Sequence, residues 1–163
     1  VNINGYLWHL IRTTTHKFWV AWYLLCYVLS GCHDAHWHLL RRALTHDLSK
    51  YRWSEARHFA EVIFALRETP YGTDAYRRLL VQLRPATILH YQRNLHHPEH
   101  YPDGFHGMSR DDLIEMVADW CAAARRNGNV FKSIEFNQQR FGYTDHAKRH
   151  LVAMARIMHQ ETP

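Results

Sequence analysis

Histidine followed by aspartate occurs twice in this chain, as His33-Asp34 and as His46-Asp47, and the second pair sits in the run Thr45-His46-Asp47-Leu48-Ser49-Lys50. An imidazole nitrogen beside a hard carboxylate oxygen is a donor set for Mn, Fe, Co, Ni or Zn rather than for Ca. Neighbours on a helix diverge by about 100°, yet a ring and a short carboxylate can still bend onto one ion. His33-Asp34 falls at a helix start, where Asp34 reads as an N-cap, so that pair is expected to be structural.

Four features set the second pair apart. Lys50 follows Asp47 at three residues and puts a cation where an anionic substrate would meet a metal. His16 lies on a mostly apolar helix, where an idle imidazole is costly to desolvate. His90 and His97 are seven apart on one expected helix and so share a face, with Asn94 between them. Asp119, inside Val117-Ala118-Asp119-Trp120, flanks a buried stripe and needs a partner, which a metal would supply. Each has a plainer use. His46-Asp47 could be a hydrogen-bonded helix end, His16 a satisfied core histidine, His90 and His97 a polar face, and Asp119 the partner of an Arg or Trp. His96, His100 and His106 read as polar-face residues. Glu115, one turn before Asp119, reads as a surface residue or a support behind a ligand. Arg93 suits either a phosphate or the surface.

These residues must be positioned by helices. The first is expected over Ile3 to Leu29, apolar around its circumference in its second half as a central buried helix would be, with its Trp and Tyr residues in the core, and ended by Gly31. The second runs from Asp34 to about Thr45, with Trp37, Leu40 and Leu44 as its inner face. Ser54 is expected to cap a third, to about Arg67, facing inward with Phe59, Val62, Ile63 and Leu66. Thr69-Pro70-Tyr71-Gly72 is a turn. A fourth helix starts at Thr73, is kinked or restarted at Pro85, and carries His90, Asn94 and His97 as far as Pro98. A loop follows to Gly107. Ser109 with Asp112 forms a capping box for a helix to about Arg126. Helices over Ser133 to Phe141 and Thr144 to Gln160 complete an all-α bundle of six to seven helices, a single domain over residues 1–163.

Composition agrees. Hydrophobic residues at 47%, with 6 Trp, 9 Tyr and 7 Phe, exclude a disordered chain, and 7 Gly with 5 Pro are too few turn formers for an all-β one. Histidine is the outlier at 15 residues. The net charge of +5 favours an anionic partner. Its basic pairs, Arg41-Arg42, Arg77-Arg78 and Arg125-Arg126, are scattered as on solvated helix faces. A small phosphorylated molecule is therefore favoured over nucleic acid. Three cysteines without a CxxC spacing suggest no disulfide framework, and a reducing, cytoplasmic compartment is expected. The apolar run Phe18 to Leu29 is too short to span a membrane, and Leu29-Ser30-Gly31-Cys32 is taken as a chance match to a lipoprotein box.

The order His, His-Asp, His, His, Asp on successive helices resembles the HD-domain superfamily of metal-dependent phosphohydrolases, and His46-Asp47-Leu48-Ser49-Lys50 is similar to its HDxxK signature. Three blocks resemble a family of small bacterial and phage proteins: Thr15-His16-Lys17, Thr45 to Lys50, and His90 through Asn94, His96, His97 and His100. Met116-Val117-Ala118-Asp119-Trp120 joins them. The resemblance implies that His16, His46, Asp47 and Asp119 hold one divalent transition metal. It also implies that His90 and His97 (or His96) hold a second ion or contact the substrate phosphate, with one ion better supported than two. Lys50, His90 and His97 would then act on a phosphate ester. A two-iron oxygenase on the same ligands and a helical binding protein without catalysis are the competing readings.

Overall fold

A computed structural model describes residues 3–31, 36–70 and 73–160, and every regular element among them is helical. The helices are α1 Ile3–Leu29, α2 His36–Thr45, α3 Trp53–Glu68, α4 Asp74–Arg93, α5 Arg110–Asn127, α6 Val130–Phe141 and α7 Asp145–Met158. Short 3-10 turns cover Leu48–Tyr51, Pro98–His100 and Gly104–Gly107. The all-α expectation holds. His33-Asp34, Cys32 and the turn residues Tyr71-Gly72 lie outside the described residues.

The chain gathers into two units. One comprises Val1–Thr15 and Asp47–Asn94, the other His16–His46 and Leu95–Pro163. In the first, α3 packs on α4 and on the Leu48–Tyr51 turn, around Ala56, Ala60, Val62, Leu83 and Ala86. Gly5 of α1 is buried here, and a Cβ on it would collide with the carbonyl oxygen of Ala60, so only glycine permits this approach. In the second unit α5 is the hub, packing on α2, α6 and α7. Its core includes Val20 and Leu24 of α1, Leu39 of α2, Ile114 and Val117 of α5, Ile134 of α6 and Leu151 of α7.

Local chemistry sets the helix ends. Ser109 accepts from the Asp112 amide while the Asp112 carboxylate accepts from the Ser109 amide at 2.8 Å, the expected capping box. Thr73 and Thr144 cap α4 and α7 through their hydroxyls, and Gly31 turns the chain after α1 at φ 73°.

Four expectations need correction. α4 runs through Pro85 without restarting and ends at Arg93, so His90 and His97 do not share a helix. The reason is Asn94, whose side-chain amide donates to the His90 carbonyl at 2.6 Å and terminates the helix; His97 then sits in extended backbone before Pro98. The inner face of α2 is Leu39 and Ala43, while Trp37 and Leu44 are exposed. The second half of α1 is not buried all round: Val20, Tyr23, Leu24 and Tyr27 face inward, while Phe18, Trp22 and Leu29 face out. Finally α3 starts at Trp53 rather than being capped by Ser54, whose hydroxyl instead accepts from Arg93 at 3.1 Å.

Candidate metal centre

The chain passes between its units at Thr15/His16, His46/Asp47 and Asn94/Leu95, so each crossing falls at a residue or block the sequence singles out. The chemistry of each unit is described separately.

In the second unit, His16 comes from α1, His46 directly follows α2, His96 precedes the Pro98–His100 turn, and Glu115 and Asp119 lie on α5. His46 and His96 are both 2% exposed. Lys17 donates to the carbonyls of Leu44 and His46, the latter at 2.9 Å, and so ties the end of α2 to α1. That gives the Thr15-His16-Lys17 block a physical role: His16 pairs with Asp119 and Lys17 fixes the backbone at His46.

Asp119 Oδ1 accepts from His16 Nε2 at 2.7 Å and lies 3.8 Å from His46 Nε2. The second distance is too long for a hydrogen bond. It suits two ligands of one ion, whose bonds to N and O are about 2.0–2.2 Å. One ligand atom each from His16, His46 and Asp119 lie within 4.8 Å of one another. Two imidazoles and a carboxylate fit a divalent transition metal. His46, His96 and Glu115 form a second such group in this unit.

Glu115 organises the histidines from behind. Its Oε1 is 2.8 Å from His46 Nδ1 and 3.2 Å from His96 Nδ1, and its Oε2 accepts from Arg42 Nη1 at 2.7 Å. Burial would raise the pKa of Glu115, but the hydrogen bonds from His46 and His96 outweigh it and hold the carboxyl well below its usual range. With Glu115 ionised, each ring turns Nδ1–H to it, and a neutral ring so held would present its Nε2 lone pair for a ligand role. Asp119 is held low in the same way, burial being outweighed first by the His16 hydrogen bond. Arg42 also bonds Asp112 at 2.5 Å, so Asp112, Glu115 and Arg42 form one charged network along α5. Two residues beyond Asp119, burial pushes the Cys121 thiol up to about 12, and the charge of Asp119 adds to it.

In the first unit, Asp47 is fully buried and sits at φ 56°, ψ 18°, the left-handed region, between α2 and the Leu48–Tyr51 turn. The pair therefore does not lie on a helix, and a left-handed aspartate turns the chain between its two members. Asp47 Oδ2 is 2.5 Å from Lys50 Nζ and Oδ1 is 3.3 Å from His90 Nε2. Behind His90, Glu55 is fully buried among His90, Ser49 and Arg93. Its carboxyl is held low, since bonds from His90, Arg93 and Ser49 outweigh burial. Arg93 donates to Glu55 at 2.7 Å, so this guanidinium at the surface is engaged by a buried carboxylate.

Of the other histidines, His97 is half-buried with its ring 4.2 Å from that of His96. His100 is half-buried against Tyr101, and His106 is exposed. The sequence alone did not point to Arg42 or Glu55, gave His96 only as an alternative to His97, and left Glu115 open between surface and support. A signal existed for two of the carboxylates. Glu115 stands in the row Asp112, Glu115, Asp119, spaced for one helix face, and Glu55 precedes Phe59 and Val62 at helical spacing, on an inward stripe.

An all-helical chain with buried histidines and carboxylates gathered by α5 is the class that the fold and site define. Residues 7–163 match the model of a family of unknown function (DUF5662), and the chain belongs to that family. No curated protein and no solved structure is matched.

Proposed function

We propose that His16, His46 and Asp119 hold one divalent transition-metal ion, and that the protein hydrolyses a phosphate ester in a nucleotide or another small phosphorylated metabolite. The observation that carries the reading is the 3.8 Å separation of His46 Nε2 and Asp119 Oδ1, with Glu115 keeping the His46 proton on the far nitrogen. The resemblance to the HD-domain superfamily supports the reaction, and the positive net charge suits an anionic substrate.

A bound ion would supply Lewis acidity toward a phosphoryl oxygen and make water a nucleophile near neutral pH. The chain's own residues do the rest. Lys50, whose ammonium rests on Asp47, neutralises charge developing on the phosphoryl group. His90, or His97, gives a proton to the leaving oxygen. Glu115 and Arg42 hold His46 and do not touch substrate.

The test is phosphate release from a panel of nucleotides and cyclic dinucleotides by metal-loaded protein. Release that is lost in Asp119→Asn is expected. Metal bound at His46 and Asp119 without release from any substrate would remove the hydrolase reading and leave the ion site.

A further inference from the structure

Two apolar helix faces stay uncovered in the second unit. On α1, Phe18, Trp22, Leu25 and Leu29 follow one another at steps of four, three and four residues, on the side opposite the core residues Val20, Leu24 and Tyr27. On α2, Trp37 and Leu44 share a face about 140–160° round the helix from Arg42, whose guanidinium reaches Asp112 and Glu115 of α5. The two faces adjoin. Lys17 of α1 donates to the carbonyls of Leu44 and His46 at the end of α2, and six residues join Leu29 to His36. α2 therefore runs back beside α1, with Leu44 toward the Phe18 end and Trp37 toward the Leu29 end. Exposure of these six side chains runs from 36% at Leu25 to 82% at Trp37. Together they present on the order of 800 Å² to solvent, more than the largest apolar patch of an ordinary monomer and what each partner contributes to a standard dimer interface.

We propose that this face is the contact between two copies of the chain, each covering the same patch of the other about a two-fold axis. The exposed area is one reason. The step pattern on α1 is another, since it is that of an a/d seam, which the same stripe of a second helix fits. Composition is a third: two Trp, one Phe and three Leu, with no charged residue from Phe18 to Leu29, match the centre of a protein interface. A lipid surface would call for Lys or Arg beside the apolar stripe, which α1 lacks between Phe18 and Leu29. A second copy also accounts for two expectations that one chain leaves unmet. In the dimer the second half of α1 is covered all round, and Trp37 and Leu44 face a partner.

The experiment is sedimentation velocity of the full chain at micromolar concentration, with far-UV circular dichroism as the check on folding. The wild type is expected at twice the mass of one chain. Trp22→Glu combined with Leu29→Glu places charge inside the contact and is expected to sediment as a folded monomer. Phe136→Glu, at an exposed apolar residue of α6 outside the patch, is expected to remain a dimer. A monomeric wild type overturns the proposal, whether it stays in solution or pellets with vesicles of phosphatidylcholine and phosphatidylserine. So does a folded Trp22→Glu/Leu29→Glu chain that remains a dimer, or a Phe136→Glu chain that dissociates. If the α1 variant does not fold, Trp37→Glu combined with Leu44→Glu decides in the same way, since both of those side chains are largely in solvent. The readout needs neither metal nor turnover, so the failure of the proposed reaction leaves it intact.

Discussion

At the scale of the residue, the organising feature is a carboxylate on the far nitrogen of a histidine. Glu115 does this for His46 and His96 at 2.8 and 3.2 Å. Losing the charge while keeping the shape is expected to weaken metal affinity about 10–100-fold, because the ring loses its fixed tautomer and some basicity. Glu115→Gln against wild type, titrated with Zn²⁺ in competition with a chromophoric chelator, measures this; equal affinities would remove Glu115 from the account. Asp47 gives a second prediction. Its left-handed backbone suits Asp and Asn far better than a residue with a plain Cβ. Asp47→Asn and Asp47→Ala both lose the charge pairing with Lys50, so their difference reports the backbone preference together with the side-chain hydrogen bonds and packing that Asn keeps and Ala loses. Urea unfolding of the metal-free proteins is expected to place Asp47→Ala below Asp47→Asn by about 1 kcal/mol. His16, His46, Asp47 and Asp119 stood out in the sequence because a buried imidazole or carboxylate needs a partner, and each has one here. It did not single out His96 from His97 and His100. All three follow the end of α4, and beyond a helix end spacing no longer says which ring points inward.

At the scale of the element, most helices were readable because their ends carry caps whose chemistry is local. Ser109 and Asp112 illustrate it, and so do Thr73 and Thr144. The failures were contests between local and tertiary chemistry. Asn94 stops α4 by taking the His90 carbonyl, a bond that spacing alone does not announce. Trp37 and Leu44 have helical spacing and still face solvent, because the smaller Ala43 is packed inward with Leu39. Asp112 links the α5 cap to the charged network. Burial would raise its pKa, but bonds from Ser109, Tyr101 and Arg42 hold it below the ordinary carboxylate value. A carboxyl with a depressed folded pKa contributes its stability fully above the unfolded value of about 3.9, and loses it as pH falls through the folded pKa. Unfolding free energy measured between pH 7 and pH 2 is therefore expected to fall on the acid side in the wild type. In Asp112→Asn the fall should be shallower and the neutral-pH stability lower; parallel curves would count against the shift.

At the scale of the molecule, two units share α1, and the chain moves from one to the other beside His16, within His46-Asp47 and after Asn94. His16, His46 and Asp47 thus stand at the chain's own crossings, while the blocks over residues 15 to 120 were read as one set through their resemblance to a family. Among the described residues no helix is long and apolar enough to cross a membrane. The net charge of +5 and the buried histidines and carboxylates of the second unit support the proposed ion there and the proposed anionic substrate. The most direct measurement is metal content per chain after dialysis against weak chelator, compared between wild type, His46→Ala and Asp119→Ala. The account predicts close to one transition-metal ion per wild-type chain and loss of that ion in both variants. A wild type without stoichiometric metal, or variants that retain it undiminished, would contradict the central claim.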